Sequence, residues 1–398
     1  MNNSTNSISN HLPADFHLDL WQDGPLNRWA FQHVSDFLTT QDICADHTRH
    51  CISDPIVNLL EDVNVSVGGR TLRLTKILEE THTDSIVVLR KGNIICERYF
   101  NGMTAGSKHL LQSVSKSMLG VLYARMIDAG IIDPEQRMGH YLPMLNSCVF
   151  GNATISQALD MRVALKFSED YASPHSEMTQ LDRACGWKTD PNGEYPNLRS
   201  FLLSLKPRIS NVTGMPVEHG AEFQYCSATT DALAWLISHV AGEPYSKLLE
   251  RELWRPMGAW NNANIAVDSE GLAVGNGGIS CTTRDMALFG QVVLNGGVAA
   301  SGGQVIPPAW IEQTCGGYEY KNQWWIGENP KEIHARGIYG QYLWIDRETE
   351  TVVAKFSSNP TARNTSKYDM HMALFRAISE WKPKHKFISQ QQRFWIYS

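Results

Sequence analysis

The sequence predicts an α/β protein of the α+β type: an antiparallel sheet flanked by helices and assembled from the two ends of the chain, with a mainly helical domain inserted between them. Three observations carry this. Residues 84–100 read as a β-hairpin, residues 339–357 hold two more strand-like runs, and helix-period patterns predominate from 112 to about 260. The expected division is a disordered N-terminus over 1–15, an α/β domain from 16–111 and 277–398, and a helical domain over 112–276, with the functional site between the two.

Taken in order, the first fifteen residues are rich in Asn, Ser and Thr and have little apolar surface to bury. They also lack the basic and apolar regions of a signal peptide, which makes a cytoplasmic location the expectation. Trp21, Trp29, Phe31, Val34 and Phe37 then mark a partly helical arm able to pack on the body. In the hairpin, two runs of β-branched and aromatic residues flank the turn Arg90-Lys91-Gly92-Asn93. A polar turn over 112–117 leads into an apolar-periodic helix that stops near Gly130, with Asp133-Pro134 blocking its continuation. Further helices are expected over 156–161, 198–205, 230–241 and 245–254. The polar connections 168–194 and 206–220 exceed ordinary loop lengths, which suits binding or lid roles. Beyond a glycine-rich stretch over 271–281, helices are expected at 283–294 and 310–314, strands at 339–345 and 351–357, and a final amphipathic helix at 367–381.

Composition narrows the function. A net charge of −6 with scattered Lys and Arg provides no basic footprint for nucleic acid or an anionic membrane. No run approaches the roughly 18 apolar residues of a spanning helix. Eight dispersed cysteines suit reduced thiols. Cys44, His47, His50 and Cys51 form a small cluster, but their spacing fits no standard zinc pattern, so neither metal nor cofactor is expected. The tail over 390–398, with Phe394, Trp395 and Tyr397, is expected to pack on the body or on a second copy in a homodimer.

Ser113 and Lys116 are three residues apart at the start of the helix that stops near Gly130. That spacing puts two side chains on one helix face roughly 5–6 Å apart at Cβ, so the amine can reach the hydroxyl as a base reaches a nucleophile. The unpaired N–H groups of the first turn can stabilise an oxyanion above Ser113. Such a quartet also arises by chance, and serines at a helix start also serve as caps. Acyl transfer by this pair needs a neutral lysine, which burial or nearby positive charge favours, and a second proton carrier. Tyr225, in a polar turn ahead of the helix near Thr230, has the right chemistry for that carrier or is simply a buried tyrosine.

These residues resemble the Ser-x-x-Lys and Tyr-x-Ser motifs of the serine β-lactamase and penicillin-binding-protein superfamily. The closer similarity is to the 6-aminohexanoate-dimer hydrolases, class C β-lactamase-like enzymes of linear amides and esters. It rests on collinear segments: residues 109–117, Glu169-Asp170-Tyr171, Asp182-Arg183 ahead of Gly186-Trp187, residues 223–228, Asn276-Gly277-Gly278, Gln323-Trp324-Trp325 and residues 337–341. The resemblance implies a β-lactamase-like fold, Ser113 as the acylated nucleophile, Lys116 as its proton acceptor and Tyr225 as a second relay. It implies an oxyanion hole from the backbone N–H groups of Ser113 and Ile338. Tyr171 would close over the substrate and touch the amide nitrogen, Asp182 would hold an ammonium end, and Asn276 and Tyr339 would line the pocket. Trp187 and Trp325 would supply apolar walls. Asp182 also reads as half of a local ion pair with Arg183.

One departure bears on substrate. The Lys-Thr-Gly motif of most β-lactamases is replaced by Gly337-Ile338-Tyr339-Gly340, which removes the usual anchor of a β-lactam carboxylate and points to linear amides and esters. The expected function is a serine hydrolase of small amides or esters acting through an acyl-enzyme. The alternatives are a promiscuous carboxylesterase with little amidase activity and a penicillin-binding-like sensor that turns over slowly.

Overall fold

The computed structural model describes residues 12–46, 58, 60–329, 331–363 and 365–382. Its main sheet has seven antiparallel strands in the order Asn93–Tyr99, Thr83–Arg90, Thr351–Ser357, Gln341–Asp346, Glu332–Gly337, Trp324–Ile326 and Tyr320–Lys321. The two ends of the chain meet at its centre, where Val88 lies opposite Val353. Side chains alternate across this sheet as the period of two demands. Ile86, Val88, Trp344 and Val353 face one core with Leu374, Phe375 and Ile378 of the C-terminal helix Thr365–Glu380. Val87, Leu89, Leu343 and Val352 face the other core, against Phe289 and Val292 of the helix Thr283–Leu294. That helix lies close: a Cβ at Gly290 would stand 2.6 Å from Val352. A buried ion pair, Arg284 to Glu97 at 2.6 and 2.8 Å, ties its first turn to the sheet.

A second sheet of four strands, Thr40–Ile43, Ala263–Ala266, Ile279–Thr282 and Lys108–Leu110, was not expected from the sequence. Each strand has only three or four residues, too few for a period-two signal to stand out. Ala263–Ala266 falls inside the stretch assigned to the helical domain, so the mainly helical part ends before it rather than at residue 276. The helices Ser115–Asp128 and Ser227–Ala241 form the centre of that part and bury nearly all of their sides. Tyr123 Oη donates to the carbonyl of Leu233 at 2.8 Å between them.

Two further differences concern segments near the site. The connection over 168–194 contains the helix Glu177–Ala184, started by Ser176, whose hydroxyl accepts from the amide of Thr179. The strand expected from residue 339 begins at Gln341, because Tyr339 at φ 62° and Gly340 at φ 94° form a left-handed turn. Among the described residues no helix is long and apolar enough to cross a membrane, and no group of His, Cys, Asp and Glu is arranged to hold a metal. His47, His50, Cys51 and the 390–398 tail lie outside the described residues.

Candidate active site

The second sheet delivers Ser113. The strand Lys108–Leu110 pairs with Ile279–Thr282, the Leu111 amide donates to Ile279 at 2.8 Å, and the chain then turns through a short 3-10 segment, Gln112–Val114, into the helix Ser115–Asp128. Gln112 holds φ at 49°, a conformation that costs a non-glycine residue on the order of 1 kcal/mol or more. Its buried side chain offsets this by donating to Gln22 Oε1 at 3.1 Å, an anchor on the N-terminal arm.

On the first turn, Lys116 is buried and Nζ has three acceptors: Ser113 Oγ at 2.9 Å, Ser227 Oγ at 3.2 Å and the carbonyl of Asn276 at 2.8 Å. These three oxygens hold Nζ against the half-buried Ser113 hydroxyl. Each partner is held in turn. Ser227 donates to Glu169 Oε1 at 2.6 Å while its amide donates to Oε2 at 3.2 Å. Asn276 is clamped by Asp231, which accepts from its amide at 2.9 Å and from Nδ2 at 2.7 Å. Burial pushes the Asp231 carboxyl up to about 7, against the opposing pull of Asn276 and Lys116.

Ser113 opens on a cavity of about 430 Å³ whose walls include Tyr171, Tyr225, Trp325 and Ile338. The Tyr225 ring centroid lies 5.2 Å from Lys116 Nζ, and the ring stacks on Trp325 at 5.3 Å. Two residues before Trp325, Gln323 accepts from Ser117 Oγ at 2.7 Å through its carbonyl and from Thr230 Oγ1 at 2.9 Å through its side chain, and donates to the Leu159 carbonyl at 2.9 Å. One buried glutamine thus joins three helices to the strand that carries the tryptophan. Across the cavity, Gly337 presses on the nucleophile turn so closely that a Cβ there would lie 3.0 Å from the Ser113 amide nitrogen. Ile338 follows it and lines the same cavity.

Tyr171 donates to Glu169 Oε1 at 2.9 Å. Burial, and then the adjacent Glu169 charge, hold its phenol well above the ordinary tyrosine range, so the hydroxyl stays protonated and its lone pairs remain available to an N–H. A second cavity of about 480 Å³ opens on the far side of Tyr171 and is lined by Asp23, Glu169, Asp170 and Tyr339.

Of the residues singled out from the sequence, Ser113, Lys116, Tyr225, Tyr171, Trp325 and Ile338 therefore come together, with Tyr339 on the adjoining cavity. Three do not line either cavity. Trp187 is buried edge-on against Trp21 at 5.3 Å. The Asn276 side chain faces Asp231, and only its carbonyl faces Lys116. Asp182 is buried and takes a hydrogen bond from Gln22; burial pushes its carboxyl up to about 7. Among the described residues it forms no ion pair with Arg183. The sequence reading gave no role to Glu169, Ser227 or Asp231, whose functions rest on contacts between distant segments. The signal available was the two-residue spacing from Tyr225 to Ser227.

Such a buried lysine clamped onto a serine, with a tyrosine on the same cavity wall, occurs here inside a recognisable chain family. The profile of the beta-lactamase family matches residues 74–376, and the chain belongs to that family as a serine hydrolase with a β-lactamase-like fold. It is 37% identical over 361 residues to the 6-aminohexanoate-dimer hydrolase of Paenarthrobacter ureafaciens, covering 86% of this chain and 88% of that one. A solved structure named "Putative 6-aminohexanoate-dimer hydrolase from Bacillus anthracis" superposes with a TM-score of 0.84 at 28% identity, covering 92% of this chain and 96% of that one. A family VIII carboxylesterase shares the fold, with a TM-score of 0.55 at 13% identity over 76% of this chain and 97% of its own.

Proposed function

We propose that this protein hydrolyses small linear amides and carboxyl esters, of the kind its 6-aminohexanoate-dimer hydrolase relative is named for, through an acyl-enzyme on Ser113. The observation that carries the reading is the 2.9 Å contact between Lys116 Nζ and Ser113 Oγ at the mouth of an open cavity. Ser113 Oγ attacks the carbonyl carbon as its proton passes to Lys116. The negative oxygen that forms is held by the backbone N–H groups of Ser113 and Ile338, donors fixed before the reaction. Tyr225 carries the proton from Lys116 to the leaving amine or alkoxide, the C–N or C–O bond breaks, and water later attacks the Ser113 ester by the reverse proton path.

Tyr171 supports the amide side of this reading. With its proton committed to Glu169, it meets a substrate N–H as an acceptor, a contact that an ester lacks. Trp325, stacked on Tyr225, gives an apolar surface for methylene groups. Asp23, Glu169 and Asp170 on the lining of the cavity beside Tyr171 support placing an ammonium end there, although Arg363 shares that lining, and Asp182 is buried with a hydrogen bond from Gln22. The test is Ser113→Ala. Fluorophosphonate labelling and p-nitrophenyl ester turnover are expected to disappear, with the melting temperature retained, and unchanged turnover would refute the assignment.

A further inference from the structure

A third cavity, of about 390 Å³, lies between the strands Trp324–Ile326 and Glu332–Gly337 and the helix Thr365–Glu380. It adjoins the Ser113 cavity through Trp325, Arg336 and Tyr368, which line both. The two differ in charge. Arg336, Arg363 and Lys367 line the Ser113 cavity with no Asp or Glu among them, whereas the third cavity sets four carboxylates, Glu319, Glu328, Glu332 and Asp369, against Arg336 and Arg376. Arg376 is engaged by two of these, standing 3.6 Å from Glu328 and 3.5 Å from Glu332. The Arg336 guanidinium lies 3.5 Å from the Trp325 ring centroid and 5.2 Å from that of Tyr368. Among the described residues the Glu319 and Asp369 carboxylates have no ion-pair or hydrogen-bond partner.

A buried group faces the same cavity. His334 lines it and is only 4% exposed, and among the described residues neither of its ring nitrogens has a hydrogen-bond partner. Burial, and then the charges of Arg336 and Arg376, push the ring down to about 3, so the imidazole is neutral and one nitrogen is an open acceptor. A neutral acceptor beside unpaired carboxylates suits a cation that only donates. A primary ammonium is such a cation, with three N–H donors and no acceptor. A metal ion needs several ligands converging on one point, and no group of His, Cys, Asp and Glu among the described residues does so. Ile326, Met372 and Ala373 add an apolar part of the lining, which suits an alkyl chain.

We infer that this cavity binds primary alkylammonium ions, with Glu319 and Asp369 balancing the charge and His334 accepting an N–H. The amine released by amide hydrolysis belongs to this class, an identification that rests on the acyl-enzyme reading. Once the C–N bond has broken, the free primary amine takes a proton from solvent at neutral pH, its reference pKa being near 10.4. The resulting cation then stands beside Arg336, Arg363 and Lys367, and the adjoining acidic cavity draws it away from Ser113. Trp325 is common to both places, since Tyr225 stacks on it at 5.3 Å.

The test is isothermal titration of the full-length Ser113→Ala protein at pH 7 with n-butylammonium chloride and with 1-butanol as its neutral counterpart. The ammonium is expected to bind at least about tenfold more tightly, as charge-assisted contacts imply. Glu319→Gln combined with Asp369→Asn, both at exposed positions, is expected to abolish that preference. His334→Phe keeps a ring in place and is expected to weaken binding severalfold without lowering the melting temperature, because it removes polar atoms that the fold leaves unpaired. The preference is expected to survive Asp23→Asn, which alters only the acidic cavity beside Tyr171. Equal affinities for the two ligands, a preference that survives the double substitution, one lost with Asp23→Asn instead, or wild-type affinity in His334→Phe would overturn the site. Fluorophosphonate labelling of the wild-type protein separates the two readings. Labelling without ammonium preference removes the site and leaves the serine hydrolase, whereas preference without labelling keeps the site and removes its link to a released amine.

Discussion

Gly337→Ala isolates the contact between the strand end and the nucleophile turn. In the native backbone Gly337 has φ −122° and ψ 156°, open to any residue, so the substitution acts only through the added methyl. Its Cβ would stand 2.8 Å from Gln112 Cβ and from the Leu111 carbonyl oxygen, and 3.0 Å from the Ser113 nitrogen. Non-bonded carbon contacts settle near 3.5 Å or beyond, so the strand end must retreat by roughly 0.5–1 Å. That carries the Ile338 amide away from the oxyanion position. A misplacement of this size costs about 100-fold in kcat, or about 2.7 kcal/mol in the barrier. Overpacking should also lower stability by about 1–3 kcal/mol. The assay is steady-state hydrolysis of a p-nitrophenyl ester and a linear amide, with thermal melting in parallel. Gly106→Ala is the control, since a Cβ there meets nothing within 4 Å. A folded Gly337→Ala protein with kcat within about threefold of wild type would mean that the 337–338 segment does not form the oxyanion hole.

Two other expectations follow from particular contacts. Tyr171→Phe removes the acceptor offered to a substrate N–H, so kcat/KM for an amide should fall about tenfold while that for the matching ester stays within about threefold; equal losses on both would remove Tyr171 from amide recognition. Asp182 has a folded pKa near 7 against an ordinary 3.8, so between those values the folded chain binds more protons than the unfolded one and this group makes stability fall as pH rises through the window. Asp182→Asn should therefore gain stability relative to wild type progressively from about pH 4 to 7 and then level off. Parallel melting curves across that range would show that the Asp182 carboxyl titrates normally.

Much of this architecture was legible in the chain because it depends on residues close together in sequence. The central hairpin and the strand over 351–357 are short runs of β-branched and apolar residues bounded by turn signals, and the helix over 283–294 is a longer apolar run ending at Asn295-Gly296-Gly297, so residue order alone announces them. Ser113 and Lys116 were legible for the same reason, since two residues three positions apart on one helical turn cannot be far from each other. Tyr225, Tyr171 and Trp325 followed from the order of motifs along the chain.

What the sequence could not convey is which buried polar group answers which. Asn276 was expected in the pocket, but the fully buried Asp231 captures its side chain and leaves only the carbonyl for Lys116. Asp182 was expected to face substrate, but Gln22, from an arm 160 residues earlier in the chain, reaches its carboxyl first. Arg336 and Arg363 are unremarkable as residues; packing against Trp325 and Tyr171 is what turns them into one cationic wall. Periodicity is a property of neighbours in sequence and determines elements and their faces. Hydrogen-bond pairing and charge lining are properties of neighbours in space, and only the packed structure decides them.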